Sequence, residues 1–227
     1  RPIKLDGSGE DWLAAWTRMA LVRAAEEKIA EKVEDGTIRC PCHLAIGQEA
    51  AAMGVAMALR PSDRAFGAHR SHAHYLAKGG DLDRMMAELY GKGTGCAGGK
   101  AGSMHLVDMN AGVLGMSAVV GTTIPIAAGY AFALKREGGG RIAVSFLGDG
   151  ATEEGVFAET LNFASLHKLP VLFVCENNKY AISVPQAKQM AVERLAVRGA
   201  AYGMPGVTAD GTDVLEVYRV TAEAARL

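Results

Sequence analysis

Gly148-Asp149-Gly150 is followed, twenty-nine residues after the aspartate, by Asn178 within Glu176-Asn177-Asn178-Lys179-Tyr180. A carboxylate and a carboxamide placed at the ends of successive strands can share one small hard cation. Mg²⁺ takes near-octahedral oxygen ligands and is usually held by one or two protein groups together with phosphate oxygens. Glycines beside the aspartate let backbone N–H groups approach those phosphates. The pattern therefore reads as a diphosphate-plus-metal site. Against it stands a plainer reading of Asp149 as a turn residue capping the next helix, a task Thr152 could do equally well. Glu153 and Glu154 fall where a helix start favours acids, so they read as helix-start residues rather than ligands.

Such a site needs strands to carry it. Arg141 to Leu147 is a short apolar run that reads as a buried strand, and Pro170 to Cys175 as the next. Between them, Thr152 to His167 has helical spacing through Val156, Thr160 and Phe163. Strand, turn, helix, strand is a βαβ unit, which predicts an α/β fold with a parallel sheet and helices on both faces. Ligands in such sheets bind outside the carboxyl ends of the strands, where Asp149 and Asn178 both fall.

The remaining chain frames that unit. Residues 9 to 35 predict a long helix, with Trp12, Trp16, Met19, Val22, Ala25, Ile29 and Val33 on its apolar stripe and Gly36 as its stop. Gly47 to Leu59 and Asp81 to Tyr90 predict two more helices, with Pro61-Ser62-Asp63 as a turn. Gly91 to Gly121 reads as a long glycine-rich loop of functional kind. A helix from about Thr122 to Lys135 leads into the first strand, and its small residues permit close packing. Gly206 to Ala209 reads as a strand, and Asp210-Gly211-Thr212-Asp213 caps a last helix that Leu227 interrupts. Residues 1–227 thus read as a single domain, with a helical N-terminal segment over about 1–60 and a truncated C-terminal end. Arg1 in place of methionine suggests a trimmed start.

Composition sets bounds. The 227 residues are 49% hydrophobic and 22% charged, enough for one globular core. A net charge of −1 leaves no electrostatic footprint for nucleic acid. No apolar run approaches the roughly 18–20 residues of a membrane span, and no signal peptide is legible. Four cysteines make no disulfide framework, so the expected compartment is a reducing cytoplasm.

The stretch from His43 to Pro185 resembles the alpha subunits of thiamine diphosphate-dependent 2-oxo acid dehydrogenases and acetoin dehydrogenases. Four segments carry the resemblance: His43-Leu44-Ala45-Ile46-Gly47-Gln48-Glu49-Ala50, Gly102-Ser103-Met104-His105, Gly148 to Glu154, and Glu176 to Tyr180. It implies thiamine diphosphate and Mg²⁺ as cofactors. Asp149 and Asn178 would bind the metal through side-chain oxygens, and Tyr180 through its backbone carbonyl. Gly150 and Ala151 would offer N–H groups to the diphosphate, and Arg70 would pair with it through its forked donors. Val120 and Gly121 would lie along the aminopyrimidine ring, and His43 near the reacting end. Departures are His69 beside the arginine, and Ala73, Ala101 and Ala118 at places where glycine is usual.

The histidines need separate weighing. His69, His72 and His74 lie close in sequence, with Cys40, Cys42 and His43 upstream. A zinc site is disfavoured because Cys40-Pro41-Cys42 is tighter than structural zinc spacing. A diphosphate- and substrate-facing histidine cluster is the preferred reading, with His43 and His72 as general acid–base groups and His69 near the cofactor. His105 either joins that cluster or satisfies a loop carbonyl, His167 compensates a helix C-terminus, and Cys175 belongs to the core.

The resemblance also implies a partner. These enzymes need a glutamate beside the aminopyrimidine, and in the resembling heterotetramers of two alpha and two beta subunits it comes from the beta subunit. The expected activity is cleavage of a 2-oxo acid (pyruvate-like or branched-chain) or of acetoin, with the acyl unit passing to the lipoyl group of an acyltransferase. Two alternatives are a split carbon–carbon ligase that forms acyloins without lipoyl transfer, and a non-catalytic scaffold subunit.

Overall fold

The computed structural model describes residues 9–227. Residues 1–8 of the expected N-terminal helical segment lie outside the described residues. Helix α1 (Gly9–Glu34) ends at Gly36, whose φ of +75° favours a residue without a Cβ. Its buried stripe runs through Ala15, Val22, Ala25 and Ile29. Trp16 is 64% exposed and Val33 also faces outward, so the apolar stripe is narrower than the sequence pattern suggested. Glu26 lies in that stripe and is fully buried.

Four parallel strands form the sheet in the order β2-β1-β3-β4. They are β1 (Arg64–Gly67), β2 (Val113–Met116), β3 (Ala143–Gly148) and β4 (Val171–Glu176). On one face, α2 (Glu49–Ala58) and α7 (Val214–Ala224) pack so that Val55 and Val217 meet Ala65, Val144 and Phe146. These two helices touch closely. A Cβ on Gly54 would stand 2.7 Å from Val217. The opposite face is covered by α5 (Thr123–Glu137), whose Ala127, Ala131 and Leu134 lie on Phe66 and Ala143. Helix α6 (Gly155–Leu166) joins α5 there, with Phe157 and Leu161 beside Ile124 and Leu147. Alternation along β3 accounts for this: Val144 and Phe146 point to one layer, Ala143 and Leu147 to the other. The α/β fold with helices on both faces is present.

Two strands escaped the sequence. β1 follows the expected turn directly, and β2 lies inside what read as a glycine-rich loop. Each has four residues and a glycine, too short for a periodicity to show. Asp63 ties β1 into place, accepting the Arg60 N–H at 2.7 Å and, from across the sheet, the Ile142 N–H at 3.0 Å. Also unforeseen was α3 (His72–Ala77), a short helix with all six residues buried. Helix α4 (Leu82–Leu89) is N-capped by Asp81, and α7 is capped by Asp213 of the expected Asp210–Asp213 segment.

Gly206 to Ala209 is not a strand. A Cβ on Gly206 would sit 1.9 Å from the Ala196 carbonyl oxygen, so this segment crosses the short 3₁₀ segment Leu195–Tyr202 instead of pairing with β4. A small hairpin, β5 (Tyr180–Ala181) and β6 (Val184–Pro185), follows the sheet. No helix among the described residues is long and apolar enough to cross a membrane.

Candidate functional site

β3 delivers Gly148 and then a 3₁₀ turn, Asp149–Glu153, which runs into α6 at Gly155. Thr152 Oγ1 donates to the Asp149 carbonyl at 2.7 Å, and Arg198 Nη1 donates to the Thr152 carbonyl at 2.7 Å, so the turn is held at both ends. Glu153 is ion-paired with Arg198 and Glu154 is exposed, in keeping with helix-start roles. Asp149 is 1% exposed, and its Oδ2 has no hydrogen-bond partner. Burial pushes its carboxyl above the usual range, against the pull of nearby backbone amides. A buried carboxylate oxygen with no donor is what a cation would satisfy. That is the observation on which a divalent metal fits here.

The neighbouring strand end supplies the rest. Gly148 is in register with Glu176, so Asn177 and Asn178 emerge beside the Asp149 turn. Asn178 Oδ1 accepts the Tyr180 N–H at 3.0 Å, and Asn177 Nδ2 donates to Gln186 Oε1 at 2.9 Å. Lys179 between them takes a φ of +67°, a conformation L-residues rarely hold. The hairpin then folds back over the turn. A Cβ on Gly150 would stand 2.8 Å from the Ala181 Cβ, so only glycine admits this approach. Gly121, at a φ of +85°, brings the Val119-Val120 loop against Glu154: a Cβ there would meet Glu154 Cγ at 3.1 Å. Val120 thus precedes a glycine packed against the end of the turn that contains Ala151. Ala73, Ala101 and Ala118 all have ordinary negative φ, so alanine replaces the usual glycine without strain.

The three histidines that read as one cluster separate into three environments. His69 joins His43, ring centroids 4.6 Å apart. Both imidazoles are depressed, first by burial; the Arg70 charge comes next for His43, and His43 followed by Arg70 for His69. The Arg70 guanidinium is the charge that both imidazoles meet in this corner. Its Nη1 donates to the Leu44 carbonyl. His74 is buried, stacked on Phe146 at 3.9 Å, and its Nε2 meets Glu176 Oε1 at 2.9 Å. This contact ties the Arg70 segment to the strand end that carries Asn178.

His72 does not face the site. It is fully buried, its Nδ1 is 2.9 Å from Glu26 Oε2 and its Nε2 is 2.7 Å from Ser103 Oγ. With both nitrogens engaged it has none to offer a substrate, which corrects its reading as a general acid–base group. His105 is exposed and its Nδ1 contacts the Met116 carbonyl at 3.1 Å, the loop-satisfying role. His167 is exposed at the end of α6, beside Phe163.

A second set of groups went unnoticed in the sequence. Glu88 on α4 is buried, and its two oxygens accept four backbone N–H groups, from Ala97, Gly99, Ala101 and Gly102, at 2.7–3.1 Å. Burial alone would raise this carboxyl; the four amides outweigh it and hold it below the usual range. Glu49 accepts Arg23 Nε at 2.7 Å and the Gly47 N–H at 3.1 Å. Acids standing at core positions of a helical stripe were the available signal. Cys40 and Cys42 have sulfurs 3.9 Å apart, and burial pushes the Cys42 thiol up to about 12. Among the described residues no group of three or more His, Cys, Asp or Glu is arranged to hold a metal.

Comparison with known proteins agrees with this picture. The alpha subunit of acetoin:2,6-dichlorophenolindophenol oxidoreductase from Bacillus subtilis (strain 168) is 43% identical over 215 residues, covering 95% of this chain and 65% of that protein. Its counterpart from Cupriavidus necator is 41% identical over 217 residues, covering 96% of the chain and 65% of that protein. The pyruvate dehydrogenase E1 component subunit alpha of Rickettsia prowazekii is 38% identical over 225 residues, 99% of the chain and 69% of that protein. The chain therefore spans about two thirds of the length of these relatives. The profile of the dehydrogenase E1 component family matches residues 17–227, and the chain belongs to that family.

Proposed function

We propose that this chain forms the cofactor-binding part of the alpha subunit of a heteromeric, thiamine diphosphate- and Mg²⁺-dependent oxidoreductase. Its substrate would be acetoin or a 2-oxo acid of the pyruvate or branched-chain kind, with a lipoyl group as acyl acceptor. The observation that carries the reading is the buried, partnerless Asp149 Oδ2 at the end of β3, beside the Asn178 turn at the end of β4. Asp149, Asn178 and the Tyr180 carbonyl would hold the metal, and Gly150 and Ala151 would turn their N–H groups to the diphosphate. Arg70 would pair with the diphosphate; Val120 and Gly121 would bound the aminopyrimidine. When bound, thiamine diphosphate supplies the carbanion chemistry that cleaves the bond beside a carbonyl.

This chain's own contribution is anchoring and protonation. Arg70 and the metal ligands fix the cofactor's charged end, which supplies positioning rather than bond making. His43, exposed and with its imidazole held below the usual range by burial and by the Arg70 charge, would be this chain's group to give or take a proton at the reacting end. The glutamate that acts on the aminopyrimidine would come from a beta subunit, giving a heterotetramer of two alpha and two beta subunits that docks a lipoyl acyltransferase. In a reducing cytoplasm Cys40 and Cys42 would remain thiols.

The test is calorimetric titration of thiamine diphosphate with Mg²⁺ into the full-length subunit assembled with its beta partner. Asp149→Ala should weaken binding by more than about a hundredfold. Acetoin- and pyruvate-dependent reduction of lipoamide by the same assembly identifies the substrate. Absence of binding by the assembled wild type, or equal binding by Asp149→Ala, would sink the reading.

A further inference from the structure

Leu44 and Ala45 share one peptide group, and two charged side chains grip it from opposite ends. Its carbonyl oxygen accepts from Arg70 Nη1, and its N–H donates to Glu26 Oε1 at 3.0 Å. The second oxygen of Glu26 takes the His72 ring at 2.9 Å, and the far nitrogen of that ring meets Ser103 Oγ at 2.7 Å. Glu26, His72 and Ser103 are each at most 1% exposed. They come from α1, α3 and the glycine-rich segment, so the chain of bonds joins three separate parts of the fold.

We propose that Glu26 is a positioning residue that acts through the Leu44–Ala45 peptide to fix Arg70 and His43, and so sets the affinity of the site for its diphosphate ligand. The inference rests on the cofactor reading given above. Its physical basis is the polarity of the network. A carboxylate only accepts, so the His72 proton that faces Glu26 sits on Nδ1. The peptide is polarised in one sense by both neighbours, with a carboxylate on its N–H and a guanidinium on its oxygen. Bonds aligned in this way strengthen one another in a buried setting. Arg70 is therefore aimed by a peptide whose plane Glu26 holds, and His43 is bonded directly to Leu44. Removal of the carboxylate leaves the Ala45 N–H and the His72 Nδ1–H without partners in a place water does not reach, so the peptide must turn to find another acceptor.

The experiment uses the full-length subunit with its beta partner and reads the Kd for thiamine diphosphate with Mg²⁺, the kcat and KM at saturating cofactor, and the melting temperature without cofactor. Glu26→Ala is expected to raise the Kd by about ten- to hundredfold, the usual effect of losing a partner that orients a ligand-binding group. It should also lower kcat while leaving the substrate KM within about threefold. Glu26→Gln keeps an oxygen for the Ala45 N–H and turns its NH₂ toward His72, which can accept in its other tautomer. It should restore the Kd to within about threefold of wild type. Glu26→Asp, too short to hold both partners, should fall between the two, and it keeps the test valid if the alanine variant fails to fold. A Kd that stays at the wild-type value in Glu26→Ala or Glu26→Asp, with only the melting temperature lowered, would overturn the proposal. A wild-type assembly that binds no thiamine diphosphate would instead sink the cofactor reading itself.

Discussion

The two sides of the site are built on opposite plans. At the ends of β3 and β4, Asp149 keeps a buried oxygen without a partner, and Asn177 to Tyr180 stand exposed. On α1, α2 and α4, three glutamates are engaged: Glu26 by Ala45 and His72, Glu49 by Arg23 and Gly47, Glu88 by four amides. One side spends its acid groups on its own backbone and is complete as it stands. The other leaves a buried acid oxygen without a donor, at a cost in stability, as the proposed metal site would require. Similar carboxylates thus serve shape in one place and binding in the other, and what separates them is whether the chain supplies the donors.

Removing an acid from each side should move stability in opposite directions. Glu88→Ala strips four N–H groups of their acceptor, and a loss of about 3–5 kcal/mol is expected in denaturant unfolding. A loss below about 1 kcal/mol would mean that the glycine-rich segment holds its shape without the carboxylate. The pH response sharpens this. Because the folded Glu88 carboxyl lies below its usual range, its contribution is complete above the unfolded glutamate value of about 4.3. That contribution disappears as pH falls through the lower folded value. Glu88→Gln should therefore trail wild type by a constant margin above about pH 5, and the margin should close in more acidic solution. A margin independent of pH would contradict the assignment. On the open side, Asp149→Asn relieves a buried charge that nearby backbone amides compensate only in part. Melting with chelator and without cofactor should show a gain on the order of 1 kcal/mol, and a loss instead would mean Asp149 serves the fold.

The sequence yielded these two sides unequally, for a physical reason. Asp149 and Asn178 sit in short contiguous motifs at the ends of apolar runs, where local spacing already implies strand ends and a ligand. The braced side is assembled from partners far apart in the chain: Glu26 with His72, 46 residues away, and His72 with Ser103, 31 away. In α1, Glu26 resembles any charge between apolar neighbours until the stripe is known to run through Val22, Ala25 and Ile29. His69, His72 and His74 shared a short stretch and were read as one cluster. A turn into a buried helix sends the three rings to His43, Glu26 and Glu176 instead. The βαβ unit was legible because its strands are continuous apolar runs. β1 and β2 were not, since four residues with a glycine carry no period.

The bond from Ile142 to Asp63 spans 79 residues and fixes the register of β1 against β3. β3 and β4, by contrast, are joined through α6 alone, across fewer than half as many residues. Closing the longer span has the greater entropic cost, by about 0.6 kcal/mol for each doubling of length. Assembly of the sheet should accordingly run from the βαβ unit outward, with β1 and β2, which pair with each other across a shorter span than β1 with β3, joining it late. Pulse-labelled hydrogen exchange during refolding would see β3 and β4 amides protected first, and simultaneous protection of β1 would refute that order. The strand ends that carry Asp149 and Asn178 would then come together before the Arg70 segment reaches them, so that the Asp149 corner forms as a template and the histidine corner is laid against it.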